Sequence, residues 1–192
     1  MATTRTVLKF RRRREGRTNY RKRLARLKSG MCRLVIRPSN KHISLQMVRY
    51  TPHGDVVVIA CSSARLGRFG WKAPTANLSA AYLTGLLCGT LAKGKITEAI
   101  LDTRKSQLTK GNIIYAALHG VVAAGIKVPH SQEKFPREER IAGQHIKAYA
   151  ELLKKKDPER YKYAFSGYLK RAIAPEQIVA HFEEVKKKIR AA

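Results

Sequence analysis

Apolar positions along this chain recur with two periods, and the switch between them lays out the elements. "CRLVIR" (32–37) is an aliphatic, β-branched run that stops at Pro38. In "HISLQMVRY" (42–50), Ile43, Leu45 and Met47 alternate with other positions, the period of a strand with one buried face. "PSNK" between them reads as a turn. After "TPHGD" (51–55), the continuous apolar run "VVVIAC" (56–61) predicts a third strand, buried on both faces. Three strands in succession predict a meander. The period then lengthens, and a helix is predicted over 78–93 with Asn77 as N-cap and Gly94 as stop. Gly85 and Gly89, four apart on that helix, would admit a neighbouring backbone closely. "ITEAILD" (96–102) returns as a strand, and "NIIYAALHGVVAAG" (112–125) is a second helix opened by Asn112 and closed by Gly125. Strands followed by strand and helix alternation predict an α/β fold, a mixed sheet covered by helices.

The texture changes from Pro129. Residues 136–156 predict one amphipathic helix, "DPERYKYAFSGYLKRAI" is aromatic and basic, and Pro175 sits where a first helical turn tolerates it. Ile178, Phe182, Val185 and Ile189 then form one apolar stripe. The opening segment carries a narrower stripe. In "RTNYRKRLARLKSG" (17–30), Thr18 is the expected N-cap and Gly30 the stop, and Tyr20, Leu24 and Leu27 fall at i, i+4 and i+7. That spacing predicts a helix over 18–29 pinned to the domain by its stripe and presenting Arg21, Lys22, Arg23, Arg26 and Lys28 outward. Residues 9–17 are expected to be an extended arm. The domain reading is therefore a basic N-terminal arm and helix (1–30), an α/β domain (31–128) and a C-terminal helical arm (129–192), with no internal repeat.

Charge decides what such a fold is for. The 192 residues carry a formal net charge of +27, of which residues 1–97 hold +19 and residues 98–192 hold +8. A field of that size repels itself unless a polyanion lies against it. The hydrophobic share of 44% is still enough for a packed core. Residues 9–30 alone hold eight arginines and three lysines against Glu15. A solvated charge run or address label would need no apolar stripe, and a surface-lying membrane helix would need bulkier hydrophobes than three. Nucleic acid is the favoured partner, because guanidinium forks grip phosphates bidentately and stack on bases. Tyr20, Phe69 and Trp71 sit among basic residues, the combination that stacks unpaired bases, although packing in the core is an equal expectation for each. Ser39, Asn40 and Lys41 supply short donors on a turn.

Other chemistry finds less support. "GTLAKGKI" (89–96) approaches a P-loop, but Ile96 stands where a hydroxyl should hold magnesium, and the stretch ends a helix instead of opening one. Glu98 and Asp102 could be half of a metal-binding pair in an RNA-processing enzyme, yet two-metal chemistry needs several converging acids, and the first 97 residues supply only Glu15 and Asp55. A carboxylate at a helix cap or in an ion pair is the better expectation for both. The six histidines show no metal spacing, and Cys32, Cys61 and Cys88 suggest neither a disulfide framework nor a zinc site. No cofactor is expected. The most apolar segment, 78–92, is too short to span a bilayer, and no signal-peptide run opens the chain, so a cytosolic location without a membrane partner is expected.

"RLVIRPSNKHISLQMV" (33–48), "ACSS" (60–63), "AYLTGLL" (81–87) and "AILD" (99–102), behind an arginine-rich helix, resemble the universal large-subunit ribosomal protein eighteen family. The segment 143–170 is similar to its archaeal and eukaryotic branch, and the end at Ala192 points to an archaeal-type member. The resemblance implies a ribonuclease H-like α/β topology without catalysis. It also implies a ribosomal role: binding 5S rRNA and attaching it to the large rRNA in the central protuberance, beside neighbouring large-subunit proteins. Carried residue by residue, it implies RNA contacts by Arg11, Arg12, Arg13, Arg14, Arg17, Tyr20, Arg21, Arg23, Arg26 and Lys28. Further contacts are implied for Arg33, Arg37, Ser39, Asn40, Lys41 and His42, and for the loop residues Arg65, Arg68, Trp71 and Lys72.

Overall fold

Two short helices, α1 (Arg11–Arg14) and α2 (Tyr20–Lys28), precede the sheet in the computed structural model, which describes residues 7–103 and 108–191. β1 (Cys32–Pro38), β2 (Ile43–Thr51) and β3 (Gly54–Ser62) follow as an antiparallel meander. Turn chemistry sets its corners. The amide of Ser39 donates to the carbonyl of His42 at 2.8 Å across the first turn, and Gly54 takes φ of 147° at the second, a conformation that L side chains rarely adopt.

Helix α3 (Leu78–Ala92) carries the chain across the sheet to β4 (Ala99–Asp102), which pairs parallel with β1. The sheet order is β3-β2-β1-β4, a mixed sheet with helices as the apolar pattern predicts. Helix α4 (Ile113–Ala123) then packs against α3. Asn77 and Asn112 cap the two helices as expected, each accepting from a backbone amide two or three residues on. The close approach predicted at Gly85 and Gly89 is real. A Cβ at Gly85 would stand 2.0 Å from the carbonyl oxygen of Ala117, and one at Gly89 2.4 Å from Cβ of Ala124. Gly120 completes the seam from the other side, 2.1 Å from the carbonyl oxygen of Tyr82.

Alternation in the strands divides the sheet into two faces. Leu34, Ile36, Ile43, Leu45 and Met47 point into one core with Leu83, Leu86 and Leu118. The opposite face carries Arg33, Val35 and Arg37. β3 departs from expectation: it is the edge strand, and Val56 and Val57 are about half exposed (51% and 48%). A continuous apolar run does not by itself distinguish a central strand from an edge that twists into solvent.

The predicted single helix over 136–156 is two, α5 (Glu138–Ala142) and α6 (Gln144–Lys156), because Gly143 adopts φ of 90° between them. A Cβ at that glycine would touch Ile178 at 3.2 Å, so the break lets the chain turn over the last helix. α7 (Pro158–Ala164) and α8 (Ser166–Leu169) lead through a 3-10 turn at Pro175–Gln177 to α9 (Ile178–Ala191). The stripe Ile178, Phe182, Val185 and Ile189 is almost fully buried, packed on α3 in the same core as the sheet. No helix among the described residues is long and apolar enough to cross a membrane.

Candidate nucleic-acid interface

The N-terminal basic stretch folds differently from its sequence pattern. Asn19, not Thr18, caps α2: its Oδ1 accepts from the amide of Lys22 at 3.1 Å. Thr18 instead accepts from Nε of Arg12 at 2.9 Å, which curls the segment expected to be extended into the single turn α1. The stripe does not dock. No residue of α2 is buried, Leu24 is 56% exposed, and Tyr20 meets Phe10 with ring centroids 5.4 Å apart.

What holds α2 to the sheet is a clamp of opposite charges. Arg33 of β1 is 3% exposed and reaches both acids of this face, Asp55 at 2.6 Å and Asp102 at 3.2 Å. Arg23 and Arg26 of α2 close on the same carboxylates, at 3.0 Å to Asp55 and 2.9 Å to Asp102. Arg37 donates to the backbone carbonyls of Ile36 and Asp102. Burial pushes the Asp55 carboxyl up, but the Arg33 and Arg23 guanidiniums outweigh it and hold it below the usual carboxylate range. Of the arginines expected to point outward, Arg23 and Arg26 therefore face inward, and Arg33 lies beneath them.

Of the two acids weighed for metal chemistry, one belongs to the clamp and the other lies outside it. Asp102 is held between Arg26 and Arg33, and Glu98 lies in an exposed pair with Lys127 at 4.0 Å. Of the two roles expected of them, a helix cap or an ion pair, both take the second.

With its inner face neutralised, α2 turns its remaining cations away from the sheet. Arg21, Lys22 and Lys28 of α2, like Arg12, Arg13 and Arg14 of α1, are exposed and in no ion pair among the described residues; Arg11 and Arg17 share Glu15 at 2.7 and 3.0 Å. A cleft of about 380 Å³ opens between α1 and α2, lined by Arg13, Tyr20 and Arg21 with Gly16, Thr18 and Asn19. Guanidiniums beside an aromatic face suit an unpaired base and its phosphate.

A second exposed group lies on the β1–β2 turn. Ser39, Asn40, Lys41 and His42 are all exposed, but the Ser39 hydroxyl is engaged, donating to the carbonyl of His42 at 2.7 Å. Thr75 donates to the carbonyl of Lys41 at 2.7 Å, fastening the turn to the segment before α3. Arg65, Arg68 and Lys72 are exposed on the loop around the 3-10 helix Ser63–Phe69, where Arg65 donates to the carbonyl of Ala60 at 3.0 Å.

Trp71 is a different case. It is 5% exposed and stacks on the imidazole of His181 from α9 at 5.1 Å, so it packs within the fold instead of offering a surface to bases. Nε2 of His181 accepts from the amide of Lys72 at 3.0 Å, which requires a neutral ring. Burial lowers the pKa of His181, with Lys72 and Lys188 lowering it further against the opposing pull of Glu184. Phe69, weighed with Trp71, packs partly buried against the core.

Sequence reasoning missed the clamp. Its only signal was scarcity, since Asp55 lies among nothing but cations in the first 97 residues apart from Glu15. The family model of ribosomal large subunit proteins 60S L5 and 50S L18 matches residues 4–97, the span that holds α1, α2, the meander and α3.

Proposed function

Because the chain belongs to the family of ribosomal large subunit proteins 60S L5 and 50S L18, and is thus an RNA-binding structural protein of that subunit, we propose that it binds 5S rRNA. In this reading it attaches 5S rRNA to the large rRNA in the central protuberance and is non-catalytic. The observation that carries the reading is the outward face of α1 and α2: six exposed cations in no ion pair among the described residues, Arg12, Arg13 and Arg14 on α1 and Arg21, Lys22 and Lys28 on α2, whose inner arginines are locked to Asp55 and Asp102. A helix held by charge to a sheet presents its remaining cations in fixed register, which a flexible basic tail cannot do. The exposed turn 39–42 and Arg65, Arg68 and Lys72 extend the cationic surface.

Filter binding of the chain to 5S rRNA and to transfer RNA over a salt series tests this. We expect a preference for 5S rRNA at moderate salt and a steep salt dependence, roughly 0.7 to 0.9 log units per phosphate neutralised. Equal affinity for the two RNAs defeats the specific claim, and a slope near zero defeats RNA binding through this face.

A further inference from the structure

The C-terminal half carries a site of the opposite character. Between α3, α5 and α9 lies a cavity of about 300 Å³ whose walls include the rings of Tyr82 and Phe182. Three of the chain's thirteen acids, Glu138, Glu139 and Glu183, line it. In a protein of net charge +27 a carboxylate finds a cation easily, yet Glu138 and Glu139 are exposed and in no ion pair among the described residues.

The cavity already holds one cation. Nζ of Lys186 stands 5.5 Å from the ring centroid of Phe182 and 6.0 Å from that of Tyr82, and pairs with Glu183 at 3.1 Å. Two aromatic faces plus a carboxylate make a cage suited to an ammonium or guanidinium group. Lys186 balances Glu183 and leaves the charge of Glu138 and Glu139 uncompensated at the mouth. At the back, Nδ1 of His119 is buried with no hydrogen-bond partner, and burial lowers the pKa of that ring.

We propose that this cavity docks a lysine- or arginine-bearing segment of another protein, one basic side chain entering beside Lys186 to meet Glu138 and Glu139. The occupant follows from charge. Carboxylates at the mouth repel the phosphates that the α2 face attracts, so the two faces sort their partners by sign. The inference does not depend on which RNA the other face binds.

Fluorescence anisotropy of a labelled peptide of alternating arginine and glycine, with a glycine and serine peptide as control, tests it on the full chain. The net charge of the protein repels such a peptide, so saturable binding reports a local site. We expect the Glu138→Gln, Glu139→Gln double variant to weaken binding by about tenfold with an unchanged melting temperature. Lys186→Met, which removes the resident cation, should strengthen it severalfold. Failure of the arginine peptide to saturate at millimolar concentration overturns the proposal. So does undiminished binding by the double variant, or a gain in RNA affinity on that change large enough to show that RNA occupies the cavity mouth.

Discussion

Helices α2 and α9 carry the same code and are held by opposite forces. Each is basic and bears one apolar stripe, Tyr20, Leu24 and Leu27 in the first and Ile178, Phe182, Val185 and Ile189 in the second. In α9 the stripe is buried in the main core. In α2 no residue of it is buried, Leu24 being exposed and Tyr20 and Leu27 half-buried, and two arginines from the neighbouring face bind two aspartates. The difference lies in what each helix meets. α3 offers α9 an apolar surface, whereas the sheet face under α2 offers Asp55, Asp102 and a buried Arg33. Helical amphipathicity reports a face able to dock, and the partner decides which face does.

The contrast breaks most sharply at α9. Phe182→Ala should destabilise the chain by about 3 to 5 kcal/mol, because a ring 2% exposed leaves a cavity that the α3–α9 interface cannot refill. Chemical denaturation measures this, and a change under about 1 kcal/mol would show that α9 is not part of the cooperative core.

Asp102→Ala tests the clamp. It leaves Arg33 buried with one carboxylate fewer, an expected loss of about 3 kcal/mol. It also removes a negative charge from the RNA-facing half, which by charge alone should tighten RNA binding. If the clamp orients α2, affinity for 5S rRNA falls instead while affinity for unrelated RNA rises; a parallel rise for both RNAs would show that α2 needs no clamp.

Replacing Arg11, Arg12, Arg13 and Arg14 with glutamine should lower RNA affinity and flatten the salt slope by roughly 0.7 to 0.9 for each phosphate that is no longer neutralised. The melting temperature should stay within a few degrees, since α1 buries no residue.

Acid should loosen the two helices in a set order. His181 is held neutral with its pKa lowered, so the stability it lends is complete above its unfolded pKa of about 6.5 and is lost as pH falls through its lower folded value. Asp55 has the same sign at lower pH: its contribution is present above an unfolded value of about 3.9 and lost below it. Trp71 is the one tryptophan and stacks on His181, so its fluorescence should respond to the first step and not the second. A midpoint above the ordinary imidazole value would contradict the buried, neutral ring.

The smallest effect is expected at Leu24. Leu24→Ser should change stability by less than about 0.5 kcal/mol, because the side chain is 56% exposed. A loss of several kcal/mol would mean that the stripe is docked after all.

Periodicity and capping residues are local properties, and they sufficed for the meander, for α3 and α4 with their asparagine caps, and for the α9 stripe. Chain order also placed the Gly85 and Gly89 approach, since only a missing Cβ permits it. The edge position of β3 was not legible, because strand order is a long-range property that an apolar run does not encode. Nor was the break at Gly143, which depends on Ile178 lying across it.

For the basic surface, sequence determined the sign and size of the charge, its concentration in the first half and the residue types that could meet RNA. Only the tertiary structure decided which of those cations remain available. Arg23, Arg26 and Arg33 are neutralised by acids 22 to 76 residues away from them in the chain, and Trp71 is covered by a helix that begins at Ile178. Charge is a property of each residue, but its balance is set in space, by whichever partners the fold brings within a few ångströms.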